Sequence, residues 1–178
     1  MRSLRKSRIQ SMQWVQPRSL NRYHELLADG ELYGTLTWQS TFGSLALAVC
    51  AEGTYSFKKV GFLHPFVAIR RLSIEDDVGK MEMNLGQNGL LVLTDGQTFE
   101  FRRLGLWRSQ WSFFDESGEL LCNFTRKTKV LRQTGVISIE DKAVRKIHLP
   151  LLLLVGWYVI VLFTREEVVA TGAGAGGS

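Results

Sequence analysis

The sequence has few of the residues from which catalytic, metal and disulfide-stabilised sites are built. Its 178 residues include only two cysteines, three histidines and three prolines. Two cysteines are too few for a disulfide scaffold, and the histidines are too scattered to form a metal pair. With 45% hydrophobic residues, the chain is neither disordered nor collagen-like. We expect one domain with a sizeable core and without catalytic residues, a metal or a cofactor.

A secretory signal is also missing. The basic start is not followed by an apolar run of about seven to fifteen residues. Both cysteines, Cys50 and Cys122, lie in apolar, strand-like segments. We therefore expect two buried free thiols and a cytoplasmic protein.

Acidic residues are absent from the first part of the chain. Residues 1–22 carry six basic side chains and no acidic one, whereas the remainder has a net charge of −1. This predicts a basic N-terminal arm over 1–22 and a nearly neutral domain. Such an arm is typical of a solvated tail. The alternatives are an arm that contacts anionic lipid or nucleic acid, and a transit peptide. The neutral domain argues against nucleic acid as a partner.

The segment from Tyr23 to Glu140 has no helical periodicity and reads as short strands joined by tight turns. Apolar and polar residues alternate with a period of two, which is typical of half-buried strands. The alternating apolar positions include Leu36, Trp38, Tyr55, Phe57, Met81, Met83, Leu85, Phe99, Phe101, Cys122 and Phe124. The hairpin turns are predicted at Asp29–Gly30, Asn88–Gly89, Asp95–Gly96 and Ser117–Gly118. Roughly eleven or twelve strands result, which favours a barrel or a sandwich.

Charge is also absent from the eighteen residues between Lys146 and Arg165. Residues 147–164 would form a helix about 27 Å long, which approaches the roughly 30 Å needed to cross a bilayer. The fully apolar stretch of this helix, from Pro150 to Phe163, is only about 21 Å long and matches strands of six or seven residues.

A barrel of twelve strands is too wide for its own side chains to fill. The pattern therefore favours a central helix over about 149–163 inside the barrel, and a C-terminal membrane anchor over 147–164 is the alternative. The side chains predicted to fill the barrel are Leu151, Leu152, Leu154, Val155, Trp157, Tyr158, Ile160, Val161 and Phe163.

The strand count and the terminal helix resemble the tubby-like superfamily, in its short LURP-one-related and phospholipid-scramblase-like bacterial branch. The residues that carry the resemblance span 33–38, 42–46 and 54–62, followed by Leu149-Pro150-Leu151-Leu152 and the rest of the apolar run to Tyr158. The resemblance implies a closed antiparallel barrel of twelve strands, over 23–164, around a hydrophobic helix. A disordered Gly/Ala tail is predicted over 165–178.

The resemblance also implies possible ligands. Tubby proteins bind phosphoinositides through basic residues on the barrel surface, and scramblases associate with membrane and calcium near the terminal helix. This sequence departs from the second pattern, since no acidic calcium loop precedes the helix.

Basic residues occur in adjacent pairs or clusters near predicted strand ends. Neighbouring residues in a strand point to opposite faces, so the inward member must lie at a rim or meet an acidic partner. The candidates for contact with anionic lipid or phosphate are Lys58, Lys59, Arg70, Arg71, Arg102, Arg103, Arg126 and Lys127. An ordinary charged exterior explains the same residues, and the sequence favours it.

The sequence as a whole predicts a non-enzymatic binding or structural module. Its expected partners are anionic membrane lipid, bound peripherally, or a protein. The alternatives are an integral membrane protein anchored by 147–164 and a carrier of a small apolar ligand in the barrel. The sequence does not predict an oligomeric state.

Replacement of Gly156 by arginine tests the position of the helix. Inside a barrel, the new charge would be buried without a partner, so we expect Gly156→Arg to unfold the protein. A membrane anchor would instead leave a folded, soluble barrel. Circular dichroism and solubility of the variant separate the two outcomes.

Overall fold

A computed structural model describes residues 1–3, 9–18, 22–73, 76–104, 109–129 and 132–173. It shows a closed antiparallel barrel of twelve strands with one α-helix through its centre. The strands are β1 (Ser11–Val15), β2 (Tyr23–Ala28), β3 (Glu31–Trp38), β4 (Ala46–Cys50), β5 (Gly53–Val60), β6 (Phe66–Arg71), β7 (Asp76–Met83), β8 (Gly89–Leu93), β9 (Thr98–Leu104), β10 (Gln110–Asp115), β11 (Leu120–Lys129) and β12 (Arg132–Ile139). A 3-10 turn, Ala143–Arg145, precedes the helix α1, Leu149–Ala173.

Each strand pairs with its neighbours in sequence, and β1 closes the ring by pairing with β12. The alternating residues that face inward are buried, as the period of two predicts. The turn at Asp29–Gly30 has a positive φ at both residues, 51° and 78°, which is the conformation of a tight two-residue hairpin.

The helix fills the barrel as the sequence predicts. All nine side chains assigned to the filling are at most 6% exposed. Trp157 and Tyr158 are completely buried and stack on Trp14 and Trp38 of the wall, with ring centroids 5.9 and 5.5 Å apart. Among the described residues, one helical segment, Leu149–Val168, is long and apolar enough to cross a membrane, and 83% of its apolar 18-residue window is buried inside the barrel.

Two predicted boundaries are wrong. Residues 11–15 of the predicted arm form strand β1, whose Met12 and Trp14 are buried in the core. Residues 165–173 of the predicted tail continue the helix, because extending an existing helix costs less than starting one and Arg165, Glu166 and Glu167 are good helix formers. The arm residues Arg5, Lys6 and Arg8 and the tail residues 174–178 lie outside the described residues.

Close approach between the helix and the wall requires glycine at two positions. A Cβ atom added to Gly135 of β12 would lie 2.3 and 2.7 Å from ring carbons of Trp157. A Cβ atom added to Gly156 would lie 2.7 and 2.9 Å from the rings of Phe124 and Phe113. At Gly135 the backbone of the wall therefore contacts the Trp157 ring, and at Gly156 the backbone of the helix contacts rings of the wall.

A buried histidine links the wall to the helix. His24 of β2 is 1% exposed, and its Nδ1 accepts a hydrogen bond of 3.2 Å from Nε1 of Trp157. Burial, with a smaller contribution from Arg165, lowers the pKa of His24 from 6.5 to about 3. The imidazole is thus neutral in the folded protein, which leaves Nδ1 as an acceptor for the indole.

Substitution of Gly135 tests the contact with Trp157. We expect Gly135→Ala to lower the free energy of unfolding by about 1–3 kcal/mol, because the ring must leave its stacked position. Gly86→Ala is the matched control, since its methyl group would meet only the polar ends of Asn84 and Asn88. Urea denaturation measures both variants, and equal stability of the two would contradict the close contact.

The low pKa of His24 predicts a loss of stability in acid. Below pH 6.5 the unfolded chain binds a proton at this imidazole that the folded chain does not bind, down to about pH 3. The free energy of unfolding should therefore fall with decreasing pH by up to about 1.4 kcal/mol per unit from this residue. Denaturation curves between pH 7 and 4.5 should show a shallower dependence for His24→Gln. The exposed loop residue His64 provides the control variant, His64→Gln; equal slopes for wild type and His24→Gln would contradict the assignment.

Candidate functional site

Helix α1 leaves the barrel at one end, and the loops at that end surround it. We call this surface the helix-end rim; it comprises the loops 39–45, 61–65 and 84–88, residues 164–168 of α1 and the strand ends beside them. Several contacts join these parts. Tyr158 Oη donates a hydrogen bond of 2.6 Å to the carbonyl oxygen of Ser44, and Gln87 Nε2 donates one of 2.8 Å to Oε1 of Glu167.

Three of the eight basic candidates meet the helix at this rim. Lys59 pairs with Glu166. Arg103 and Arg126 each have a guanidinium nitrogen 3.6 Å from a carboxylate oxygen of Glu167, and Arg126 also contacts Oγ1 of Thr164. All three side chains are half-buried. Each is therefore the residue of its adjacent basic pair that points inward, and it lies at the rim of the barrel.

The other five candidates are not part of this group. Lys58 and Lys127 are exposed on the outer wall. Arg70 pairs with Asp77 and Arg102 pairs with Glu100, both on the outer wall. These four side chains form the ordinary charged exterior that the sequence favours.

Arg71 lies at the opposite rim, where the helix enters the barrel. Its Nη2 donates a hydrogen bond of 2.6 Å to the carbonyl oxygen of Glu52, and its guanidinium group lies 5.7 Å from the ring centroid of Tyr55. The eight basic candidates therefore lie at the two rims and on the outer wall. Their positions depend on the register of the barrel strands and not on the local sequence.

A further cation, Arg165, lies on the helix itself. Its guanidinium carbon is 4.3 Å from the centroid of the Trp38 ring, which is a cation–π contact. Burial lowers the pKa of Arg165 from its usual value, and burial raises the pKa of the neighbouring Tyr158 hydroxyl. Arginine nevertheless keeps its proton, so a positive charge is held at the centre of the helix-end rim.

Large apolar side chains project from three successive loops of the same rim. Phe42 is 100% exposed, Phe62 95%, Leu63 83% and Leu85 106%. These residues lie in the connections β3–β4, β5–β6 and β7–β8, which are neighbours around the barrel. Val168 of α1, 65% exposed, adds to the same surface.

The sequence pattern assigned Leu85 to a strand, and this is wrong. Strand β7 ends at Met83, and Asn84 Oδ1 accepts hydrogen bonds from the backbone N–H groups of Gly86 and Asn88. Gln87 adopts a positive φ of 60°. The turn is therefore longer than the two-residue Asn88–Gly89 hairpin predicted, and Leu85 is lifted to the loop tip.

The other chemically reactive side chains occupy structural positions. Cys50 and Cys122 are buried free thiols, and burial raises the pKa of Cys50 to about 11 and that of Cys122 to about 12. His148 Nε2 lies 2.8 Å from a carboxylate oxygen of Asp95 at the start of the helix. Among the described residues, no group of three or more histidine, cysteine or acidic side chains could hold a metal ion.

The rim where the helix enters has an open, polar depression. It is lined by Gln97, Thr98, Phe99, Asp115, Glu116, Ser117 and Lys146. Lys146 Nζ donates a 2.5 Å hydrogen bond to Asp115, and this bond with that from Ser117 holds the pKa of the Asp115 carboxyl well below its usual range. Lys146 and Asp115 are thus engaged with each other, and Glu116 accepts hydrogen bonds from Thr98.

Comparison with known proteins adds no relative. No protein family, curated protein or solved structure matches this chain.

Proposed function

We propose that the protein is a non-enzymatic barrel of the tubby-like kind that docks peripherally on anionic membranes through its helix-end rim. The closed barrel of twelve strands around an apolar helix supports the kinship. The observation that carries the docking function is the set of fully exposed apolar side chains on three neighbouring loops, with Phe42, Phe62 and Leu85 at their tips.

The apolar loop tips supply a driving force for membrane binding. Removing a Phe or Leu side chain from water contributes about 1.5–3 kcal/mol. Four such side chains inserted together at one end of the molecule would contribute about 6–12 kcal/mol, which is comparable to the entropic cost of association.

Basic side chains beside the tips favour an anionic surface. Arg22 is exposed beside the loop that carries Phe42, where it donates a hydrogen bond to the carbonyl oxygen of Gln39. Arg165 of α1 holds a second positive charge at the centre of the same rim. A lysine or arginine close to an anionic bilayer contributes about 1 kcal/mol. Apolar tips flanked by cations match an anionic bilayer, which has an apolar interior below charged headgroups.

The shape of the surface favours lipid over a protein partner. The exposed side chains stand on separate loops around the end of the helix. A folded partner would need several matching pockets at fixed spacing, whereas fluid lipid adapts to each tip.

Vesicle sedimentation tests the proposal. We expect wild-type protein to bind phosphatidylcholine vesicles that contain phosphatidylserine and to bind more weakly as salt is raised. Phe62→Ser/Leu85→Ser should reduce the partition coefficient at least tenfold, because tenfold corresponds to only about 1.4 kcal/mol. Leu72→Ser/Ile147→Ser is the matched control, because it removes two exposed apolar side chains at the opposite rim.

Two outcomes would contradict the proposal. One is the absence of binding to anionic vesicles at low salt, and the other is an equal loss in the rim and control variants. A carbonate wash of membranes from expressing cells adds a separate criterion. Peripheral protein is released by the wash, whereas protein that stays in the membrane would favour the integral alternative.

A further inference from the structure

Two arginines of the helix-end rim share one aromatic platform. Arg103 at the end of β9 and Arg126 on β11 flank β10, and their guanidinium carbons lie 5.4 and 5.7 Å from the ring centroid of the buried Trp111. Their side chains are only 16% and 18% exposed. Two like charges in such a partly dehydrated position repel each other unless an anion lies between them.

Glu167 of α1 provides that anion. Its Oε1 lies 3.6 Å from Arg103 Nη2, and its Oε2 lies 3.6 Å from Arg126 Nη1. The same Oε1 accepts a hydrogen bond of 2.8 Å from Gln87 Nε2. The carboxylate is therefore held by two cations and one amide donor, although Glu167 itself is 42% exposed.

The loop that carries Gln87 is shaped for this contact. Gln87 has a φ of 60°, a left-handed conformation that residues other than glycine rarely adopt. Asn88 of the same loop accepts a hydrogen bond of 2.7 Å from the backbone N–H of Arg103. The loop is thereby fixed to β9, with the Gln87 amide directed at the carboxylate.

The two ion-pair distances indicate that a larger anion would fit this position better than a carboxylate. Both are longer than a charge-assisted hydrogen bond, which is about 2.7–2.9 Å. A phosphate monoester carries a larger charge and three terminal oxygens in a tetrahedral arrangement. It could meet both guanidinium groups at hydrogen-bond distance and keep the Gln87 donor.

We propose that Arg103, Arg126 and Gln87, above Trp111, form an anion-binding site for phosphate monoesters, which Glu167 occupies as an internal competitor. The ligand is a soluble phosphate or the monoester headgroup of a lipid. The lipid version deepens the proposed function and rests on it, whereas the site itself does not. In both versions, the anion displaces the Glu167 carboxylate.

Isothermal titration with inorganic phosphate, at constant ionic strength, tests the site. Glu167→Gln removes the competing charge and keeps the shape of the side chain, so we expect it to bind phosphate at least tenfold more tightly than wild type. Glu166→Gln is the matched control: it removes one charge from the adjacent residue, whose partner is Lys59. Its affinity for phosphate should stay within about threefold of wild type, a difference of about 0.7 kcal/mol.

Removal of the arginines completes the test. Adding Arg103→Gln or Arg126→Gln to the Glu167→Gln variant should abolish the gained affinity, while circular dichroism shows that each variant is folded. The proposal is overturned if Glu166→Gln gains as much as Glu167→Gln, if the arginine variants keep the gain, or if Glu167→Gln binds no phosphate at millimolar concentration.

Vesicles distinguish the two sources of phosphate. Phosphatidate and phosphatidylserine are compared at equal surface charge. A preference of Glu167→Gln for phosphatidate identifies a lipid headgroup, and phosphate affinity without this preference identifies a soluble ligand. If vesicle binding depends on Phe62 and Leu85 but Glu167→Gln binds no phosphate, only this inference fails. If phosphate binds but no vesicle does, only the membrane function fails.

Discussion

A closed ring of twelve strands encloses more space than its inward side chains can fill, and every other feature of the molecule follows from how that space is filled. Helix α1 occupies it with side chains on all its faces. The wall accommodates the helix at two positions. Gly135 leaves room for the Trp157 ring, and the neutral imidazole of His24 accepts a hydrogen bond from the same indole. The helix is apolar all round because the surrounding wall is protein on every side.

The same constraint creates the helix-end rim. A helix longer than the barrel is tall must emerge, and the residues that emerge carry the first charges after the apolar run. Lys59, Arg103 and Arg126 line the opening, and Glu166 and Glu167 lie opposite them. The charge distribution at this rim therefore depends on the length of the helix as well as on the residues of the barrel wall.

Much of the fold could be predicted because its signals are local or follow from simple geometry. Alternation at Leu36 and Trp38 identifies a strand, and the uncharged run identifies the helical segment that fills the barrel. The arrangement of the basic doublets could not be predicted, since Arg71 and Arg103 lie at opposite rims through the register of distant strands. Strand β1 lies within the arm predicted from charge, although Met12 and Trp14 alternate with Ser11 and Gln13 as in the other strands. Leu85 was misplaced because a side chain, Asn84, and not a glycine, organises its turn.

The order of elements along the chain has a consequence for biosynthesis. The filling of the barrel follows all twelve strands, and the first strand closes the ring only against the last, with Ser11 opposite Ser138. While the chain is being translated, the apolar inner face of the growing sheet has no helix to cover it. Folding of this kind is dominated by contacts distant in sequence and is correspondingly slow. The nascent sheet is thus exposed to aggregation until helix α1 leaves the ribosome, and molecular chaperones have their greatest opportunity to act during that interval.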